Sequence, residues 1–223
     1  MARGKQILPF AFHVLRNGEP ARVVLNFAKQ MDVVAASCWK IPVKLRRDRS
    51  MYQRAADARE FAQLAAKRWW HYRETRSAAS SVEHLHRLIL RNPNGEFCFH
   101  LKVQADWFAG SLGGAMIRRT WCHHLIIDFL FVHPRICGRL ELVAGVGLQI
   151  LRSICMIAHE LGCKRVWGEA TRDSSTFYAR QLDCSVEDHF SIESSRIQAF
   201  AAELEPRRLP NPDDAPQSRI KKV

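Results

Sequence analysis

The residues with the clearest chemistry lie at the end of one apolar run and the start of the next. Val132 and Pro134 end the first run, and Gly145 and Gly147 precede apolar residues that repeat at helical spacing. The first N–H groups of a helix lack partners inside the helix, and glycines let a diphosphate approach them closely. The pattern predicts a site for a phosphorylated ligand. The alternative is a glycine pair that only packs a helix against a sheet.

Residues 1–49 form an N-terminal extension whose structure the sequence leaves open. Pro20 suits the first turn of a helix, which is the interpretation we favour. The apolar face of that helix would consist of Val24, Phe27, Met31 and Val34. Asn17 and Gly18 could instead turn a hairpin between two apolar runs.

Two helices follow the extension. Ser50 and Gln53 form a capping-box pair at the start of the first, and Ser80 and Glu83 form one at the start of the second. The predicted apolar stripes are Phe61, Leu64, Ala65, Trp69 and Tyr72 in the first helix, and Val82, Leu85, Leu88 and Ile89 in the second.

The apolar pattern then changes from helical spacing to alternation. Three antiparallel strands are predicted over 97–103, 107–117 and 121–132. A loop over 133–145 leads to a helix with apolar residues from Leu148 to Ala158.

Three shorter elements and a tail complete the chain. We predict a strand over 164–170, a helix capped by Asp173 and a final strand over 185–192. Residues 205–223 are rich in Pro, Asp and Arg, which predicts a disordered tail.

The chain carries a net charge of +12, of which +7 lies in residues 44–91. Such a region suits an anionic partner, namely a CoA nucleotide, a nucleic acid or an acidic surface, or it is a solvated helix face. No run approaches the ~20 apolar residues of a membrane span, and the first 18 residues lack the features of a secretory leader. We therefore expect a cytoplasmic protein that does not bind membranes.

Cysteine and histidine spacing gives no indication of a metal site. The seven cysteines include no Cys-x-x-Cys pair, which favours reduced thiols. Residues 122–124, Cys-His-His, are the nearest approach to a cluster, but adjacent strand residues point to opposite faces. We predict no metal.

Aromatic residues at 69–72 lie among basic residues and could stack on nucleic-acid bases. An amphipathic helix that buries one Trp explains the cluster better. A nucleic-acid partner is therefore considered but not favoured.

The order of elements over residues 50–192 resembles the GCN5-related N-acetyltransferase (GNAT) superfamily. In that family two helices precede an antiparallel meander, the last meander strand ends in Val-x-Pro, and a Gly-x-Gly loop binds the CoA pyrophosphate at the next helix. The matching residues here are Val132-His133-Pro134, Gly145-Val146-Gly147-Leu148 and Phe177-Tyr178 on the last helix. The resemblance implies a mixed α/β fold, with a central, mostly antiparallel twisted sheet flanked by helices, in a domain over 50–204.

The resemblance also implies acetyl-CoA as a co-substrate. The end of the third meander strand would bind the pantetheine arm, and the glycine loop would bind the diphosphate. The implied cofactor-binding residues are Leu130, Phe131, Val132, Arg135, Gly145, Val146, Gly147 and Leu148.

In the implied reaction a neutral amine attacks the thioester directly, and Tyr178 protonates the leaving thiolate. A phenol with a pKa of ~10 suits a thiolate with a pKa of ~8.5 or higher. Asp128 is the candidate base or amine-binding carboxylate, and Glu169 and His124 are second candidates. Because a buried carboxylate needs a partner, the alternative is a structural Asp128 bonded to a neighbouring strand or an arginine.

Several positions depart from the family pattern. Leu142 replaces a basic or amide residue before the first glycine, and the loop is longer than usual. Arg135 and Gly138 fit the first half of the motif at the ordinary distance, but Leu140 replaces the second glycine, so we prefer Gly145 and Gly147. Residues 183–184, Asp-Cys, replace the usual Gly-Phe.

We therefore predict an acyl-CoA-dependent N-acyltransferase whose acceptor is an amine of a small molecule or a protein. One alternative is a longer-chain acyltransferase of the same fold. Another is a non-catalytic module that binds nucleic acid or a partner protein through its basic helices. The sequence indicates neither the acceptor nor the oligomeric state.

Overall fold

The computed structural model describes residues 9–204. The strands in this part of the chain are β1 (Phe10–Arg16), β2 (Glu19–Phe27), β3 (Ala78–Ala79), β4 (Phe97–Ala105), β5 (Phe108–Arg119), β6 (His124–Val132), β7 (Val143–Ala144), β8 (Arg165–Glu169) and β9 (His189–Glu193). The helices are α1 (Gln30–Ser37), α2 (Arg49–Glu74), α3 (Val82–Arg91), α4 (Pro134–Cys137), α5 (Val146–Glu160), α6 (Arg172–Leu182) and α7 (Ser194–Leu204), with a 3-10 turn at Val43–Arg47. None of these described helices is long and apolar enough to cross a membrane.

The strands form one mixed sheet in the order β7-β1-β2-β4-β5-β6-β8-β9, with β3 beside β4. The pairs are antiparallel, except that β8 is parallel to β6 and β3 is parallel to β4. Helix α5 makes the crossover from β6 to β8 that a parallel pair requires. Helices α1 and α2 pack on one face of the sheet, and α3, α5 and α7 pack on the other. The predicted fold class is confirmed.

The helix predicted from Pro20 is wrong, and the hairpin alternative is confirmed. Pro20 lies in β2, and the turn uses Asn17 and Gly18 with φ angles of 51° and 87°. Val23 and Leu25 are fully buried while the residues between and beside them are more exposed, which is the two-residue period of a strand. Pairing of both strands within the sheet decides in favour of the hairpin, which the sequence alone ranks below the helix.

Helices α2 and α3 are present as predicted, but other residues cap them. Asp48 accepts a hydrogen bond from the Met51 N–H at 3.0 Å, so α2 begins at Arg49. Ser81 accepts one from the His84 N–H at 3.0 Å. Each capping oxygen comes three residues before the amide that it accepts from, which is the N-cap geometry.

The meander and the crossover helix are confirmed with shifted bounds. The predicted loop over 133–145 contains α4 and the short strand β7, which pairs with β1. Thr171, rather than Asp173, caps α6. Helix α7 was not predicted, and the predicted disordered tail over 205–223 lies outside the described residues.

The predicted boundary between residues 49 and 50 stays a prediction. Residues on its two sides share the sheet, because β2 pairs with β4 from Val24 opposite Gln104 to Phe27 opposite Leu101.

Candidate functional site

Strand β6 loses one of its two neighbours half-way along its length. It pairs with β5 from end to end, but with β8 only from His124 to Ile127. From Asp128 to Val132, this edge of β6 has no partner strand within residues 9–204. An open strand edge can bind an added extended chain through backbone hydrogen bonds.

The backbone groups of Leu130 and Val132 face this open edge. The His133 N–H donates to the Leu112 carbonyl, at the start of the β5 ladder, at 2.7 Å. Successive residues of a strand direct their peptide groups to opposite edges. Phe131 therefore bonds toward β5, whereas Leu130 and Val132 face away from it.

Phe131, which the resemblance implies as a cofactor-binding residue, lies away from the open edge, and its role stays a prediction. Its side chain is 2% exposed on the face covered by α1 and α2, where Trp39 packs edge-on against it at 5.7 Å between ring centroids. At the open edge itself, the Cys137 thiol donates a weak bond to the Val132 carbonyl at 3.3 Å. The other edge-facing groups of Leu130 and Val132 have no partner in the described part of the chain.

Helix α5 begins with its first amides open. Its N-cap residue is Gly145, with φ of 94°, and no side chain caps the helix. The first helical bond runs from the Gln149 N–H to the Gly145 carbonyl at 3.0 Å. The N–H groups of Val146, Gly147 and Leu148 therefore have no partner among the described residues.

The open amides and the open strand edge meet at one place, which we call the glycine corner (residues 130, 132 and 145–148). A Cβ added at Gly113 of β5 would lie 3.3 Å from both Val132 Cα and Val146 Cγ1. A Cβ added at Gly147 would lie 3.7 Å from Leu130 Cδ2. The first turn of α5 therefore packs directly against the end of β6.

The alternative glycine of the loop, Gly138, opens no helix. It ends α4, and a Cβ there would lie 2.3 Å from Leu45 Cδ1. Arg135 of α4 is half exposed, and its guanidinium forms an ion pair with Glu141. A role for Arg135 in phosphate binding stays a prediction.

The described residues thus combine an antiparallel meander, a β6–α5–β8 crossover and a parallel pair that separates at the glycine corner. This arrangement agrees with the mixed α/β fold that the resemblance implies. No protein-family model and no curated protein matches the sequence.

Several solved acetyltransferases are similar to this chain in structure. The PaiA N-acetyltransferase from Thermoplasma acidophilum, in complex with coenzyme A, is 12% identical, and the match covers 77% of this chain and 98% of that one with a TM-score of 0.43. A GNAT-family acetyltransferase from Staphylococcus aureus Mu50 is 8% identical over the same shares, with a TM-score of 0.41. Nourseothricin acetyltransferase is 17% identical over 43% of this chain and 65% of its own length, with a TM-score of 0.34.

Tyr178, the predicted acid of the GNAT reaction, lies in the core. It is 5% exposed and stacks on Phe190 of β9 at 3.8 Å between ring centroids. Burial raises the pKa of its phenol, and no described residue hydrogen-bonds to the hydroxyl. The neighbouring Phe177 lies at the glycine corner, since its Cζ would be 3.6 Å from a Cβ at Gly147. The role of Tyr178 stays a prediction.

Asp128 is the extra residue of a β-bulge. Met116 of β5 pairs with Phe129 and Ile117 pairs with Ile127, so Asp128 has no counterpart on β5. A bulge bends the strand and can turn two consecutive side chains toward one face.

Two guanidinium groups hold the Asp128 carboxylate, which is 4% exposed. Arg118 Nε donates to Oδ2 at 2.6 Å, and the Arg68 guanidinium forms an ion pair with Oδ1 at 2.9 Å. Arg118 also pairs with Glu96 at 3.2 Å, and Glu96 accepts from the Tyr72 hydroxyl. Burial and the Glu96 carboxylate raise the pKa of Tyr72 to about 12. This pairing agrees with the structural alternative, and a base role for Asp128 stays a prediction that would require a charged bond to break.

The second candidates for the base lie at the ends of their strands. Glu169 is exposed at the end of β8, opposite His189. His124 is partly buried at the start of β6, and burial together with Arg165 lowers its pKa. Within residues 9–204, no group of three or more His, Cys, Asp or Glu side chains could hold a metal ion.

The aromatic and basic cluster of α2 is engaged within the protein. Trp69 is 6% exposed and meets Trp70 edge-on at 5.2 Å. The Arg73 guanidinium lies 5.2 Å from the centre of the Trp69 ring. Stacking on nucleic-acid bases requires free ring faces, which this packing restricts.

A cavity of about 560 Å³ lies elsewhere, on the α1 side of β2, β4 and β5. Lys102 and Asp32 form an ion pair of 2.7 Å on its wall, beside Trp107. No residue of the glycine corner lines it.

Sequence reasoning missed Arg68, Arg118 and Phe177. The only signal for the two arginines was that a buried Asp128 needs a partner, which indicates a residue type but no position. Phe177 carried no signal, because a helix periodicity does not distinguish which of two adjacent aromatics faces a neighbouring strand.

Proposed function

We propose that the protein is an acyl-CoA-dependent N-acyltransferase with acetyl-CoA as co-substrate. The observation that carries this proposal is the glycine corner, where unpaired helix amides meet an unpaired strand edge. A diphosphate fits the amides and an extended amide chain fits the edge. Acyl-CoA contains both groups in one molecule.

The diphosphate accepts hydrogen bonds from the N–H groups of Val146, Gly147 and Leu148, strengthened by the partial positive charge of the helix N-terminus. The pantetheine arm pairs with Leu130 and Val132 as an added strand does. Because a thiol is a weak donor, a pantetheine amide can replace Cys137 at the Val132 carbonyl.

Transfer proceeds by direct attack of a neutral amine on the thioester carbonyl. A backbone N–H near Val132 stabilises the developing oxyanion. The C–N bond forms, the C–S bond breaks, and the amine gives its proton to a base or to water. Tyr178 is the proposed donor of a proton to the thiolate. Turnover of acetyl-CoA against longer acyl-CoA thioesters decides the acyl length.

Isothermal titration calorimetry with CoA and desulfo-CoA tests the binding site. Gly145→Ala and Gly162→Ala form a matched pair, because both glycines have positive φ, 94° and 64°, and neither would place a Cβ within 4 Å of another atom. Each variant should carry similar backbone strain, about 1–2 kcal/mol. Only Gly145 adjoins the open amides, so we expect Gly145→Ala to weaken binding about tenfold, or about 1.4 kcal/mol, and Gly162→Ala to leave it unchanged.

Desulfo-CoA should bind like CoA, since both carry the diphosphate. If the unaltered protein binds neither at millimolar concentration, the acyltransferase proposal is wrong. Equal weakening by both variants would assign the loss to strain rather than to the site.

A further inference from the structure

Arg68 of α2 presents a guanidinium that is fixed at one nitrogen and open at the others. One of its terminal nitrogens lies 2.9 Å from Asp128 Oδ1 in an ion pair, while 42% of the side chain remains exposed. No other residue within the described range 9–204 accepts a hydrogen bond from Arg68. The remaining N–H groups of the guanidinium are therefore available to a ligand.

The surroundings fix the direction of this guanidinium. Its carbon lies 5.8 Å from the centre of the Phe129 ring, which in turn lies 6.1 Å from the Phe61 ring. Asp128 is held from its other side by Arg118 at 2.6 Å. A side chain that is already anchored loses less conformational freedom when it binds a ligand.

Arg68 lies on the opposite face of the sheet from α5. Asp128 and Phe129 both contact Arg68, because the bulge turns these consecutive side chains toward α2. Asp128 is also the first residue beyond the last pair that joins β6 to β8, Ile127 with Gly168. A thioester that enters the opening from the α5 face would present its carbonyl beside this bulge.

The charges of the cluster favour a carboxylate ligand. Arg118 is shared between Asp128 and Glu96, so Arg68 supplies the cluster's outward N–H groups within the described residues. The planar fork of a guanidinium matches the two oxygens of a carboxylate. A phosphate dianion would meet stronger repulsion from Asp128 and Glu96.

We propose that Arg68 binds a carboxylate of the acceptor, so that the acceptor is an amine that also carries a carboxylate, such as an amino acid. This inference rests on the proposed acyl transfer. Arg68 then orients the acceptor and places its amine at the thioester.

CoA release from acetyl-CoA is measured with L-phenylalanine against L-phenylalaninamide, and with glycine against glycinamide, at matched concentrations of the neutral amine. The aromatic pair is chosen because Phe61 and Phe129 border Arg68. We expect kcat/KM to be at least about tenfold higher for the acid than for its amide, or about 1.4 kcal/mol. Arg68→Gln should bring this ratio close to one through a higher KM for the acid.

Two further variants separate charge, geometry and folding. Arg68→Lys keeps the charge without the fork and should retain only part of the preference. Lys67→Gln, an exposed neighbour on the same helix, removes the same charge and should retain the full preference. If a thermal melt shows that Arg68→Gln is not folded, the acid-to-amide ratio of kcat/KM is compared between Arg68→Lys and Lys67→Gln. A lower ratio in Arg68→Lys than in Lys67→Gln supports the role of Arg68, and equal ratios contradict it.

The failure of this inference differs from the failure of the proposed function. CoA binding with equal turnover of acid and amide, or with no transfer to any of the four amines, overturns the role of Arg68 alone. A preference for O-phosphoethanolamine over all four amines overturns the carboxylate assignment. Absence of CoA binding removes the acyltransferase proposal and this inference together.

Discussion

The glycine corner and the candidate catalytic side chains differ in how far the protein satisfies them internally. At the corner, the amides of residues 146–148 have no partner among the described residues, and the end of β6 has no partner strand on this edge. By contrast, Asp128 is paired with two arginines and Tyr178 is stacked on Phe190. The backbone groups of the glycine corner are open, and the side chains expected to move protons are enclosed.

This difference shows which features local sequence determines. Gly145 at positive φ and the start of α5 depend on a few adjacent residues, so a motif locates them. The ion pairs of Asp128 and the stacking of Tyr178 depend on α2, β5 and β9, which lie elsewhere in the chain. Three experiments ask whether the enclosed groups are structural.

Asp128→Ala should have the largest effect. The substitution leaves the positive charges of Arg118 and Arg68 without the buried carboxylate that compensates them. We therefore expect the free energy of unfolding to fall by roughly 3 kcal/mol. Urea unfolding measures the change. Asp188→Ala is the control, because the Asp188 side chain is 88% exposed and pairs only with His189 among the described residues, and such exposed pairs contribute little to stability. Unchanged stability of Asp128→Ala with lost turnover would favour the base role instead.

Tyr178→Phe should cut turnover about a hundredfold, within the range of general acid catalysis, if the phenol protonates the thiolate. Stability and CoA affinity should change little, because no described residue bonds the hydroxyl. Single-turnover kinetics with acetyl-CoA measures the chemical step, and calorimetry measures affinity. Full activity of Tyr178→Phe would make Tyr178 a core residue and leave the protonation of the thiolate to water.

Acid should destabilise the fold through two enclosed histidines. Burial lowers the pKa of His100 to about 4, and burial with the nearby Arg135 lowers that of His133 to about 4. Between an unfolded pKa of about 6.5 and pH 4, the unfolded chain binds protons that the folded chain does not. Stability is therefore present above pH 6.5 and falls as pH decreases, by about 1.4 kcal/mol per unit for each histidine.

Urea unfolding at pH 7, 6 and 5 measures this slope. His100→Leu should make stability depend less on pH, because it removes one of the two titrating side chains. Neither ring nitrogen of His100 has a hydrogen-bond partner in the described structure. An unaltered slope in that variant would show that His100 already titrates normally in the fold.

Local patterns predicted the meander and α5 correctly. Alternation over Phe97–Val103 and three-and-four spacing from Leu148 belong to single elements, so they require no knowledge of partners. The strand predicted from the sequence over 164–170 corresponds to β8.

The other features could not be predicted, because they depend on contacts between segments that are far apart in the sequence. The segment around Val23 and Leu25 fits a helix or a strand until its neighbours in the sheet are known. Likewise, the sequence indicates that Asp128 needs a partner, but Arg68 and Arg118 become its partners only when α2 and β5 pack beside β6. The sequence also does not indicate that Tyr178 stacks on Phe190 of β9 while Phe177 lies near Gly147.

Because β7 pairs with β1, the N-terminal hairpin also positions the segment that leads into α5. Ala144 lies opposite Leu15, and the Asn17 N–H donates to the Leu142 carbonyl at 2.8 Å. The residue just before Gly145 is thus tethered to the first strand of the chain. Deletion of the hairpin would remove one edge of the sheet. It would also remove the contacts that hold the first turn of α5 in its orientation.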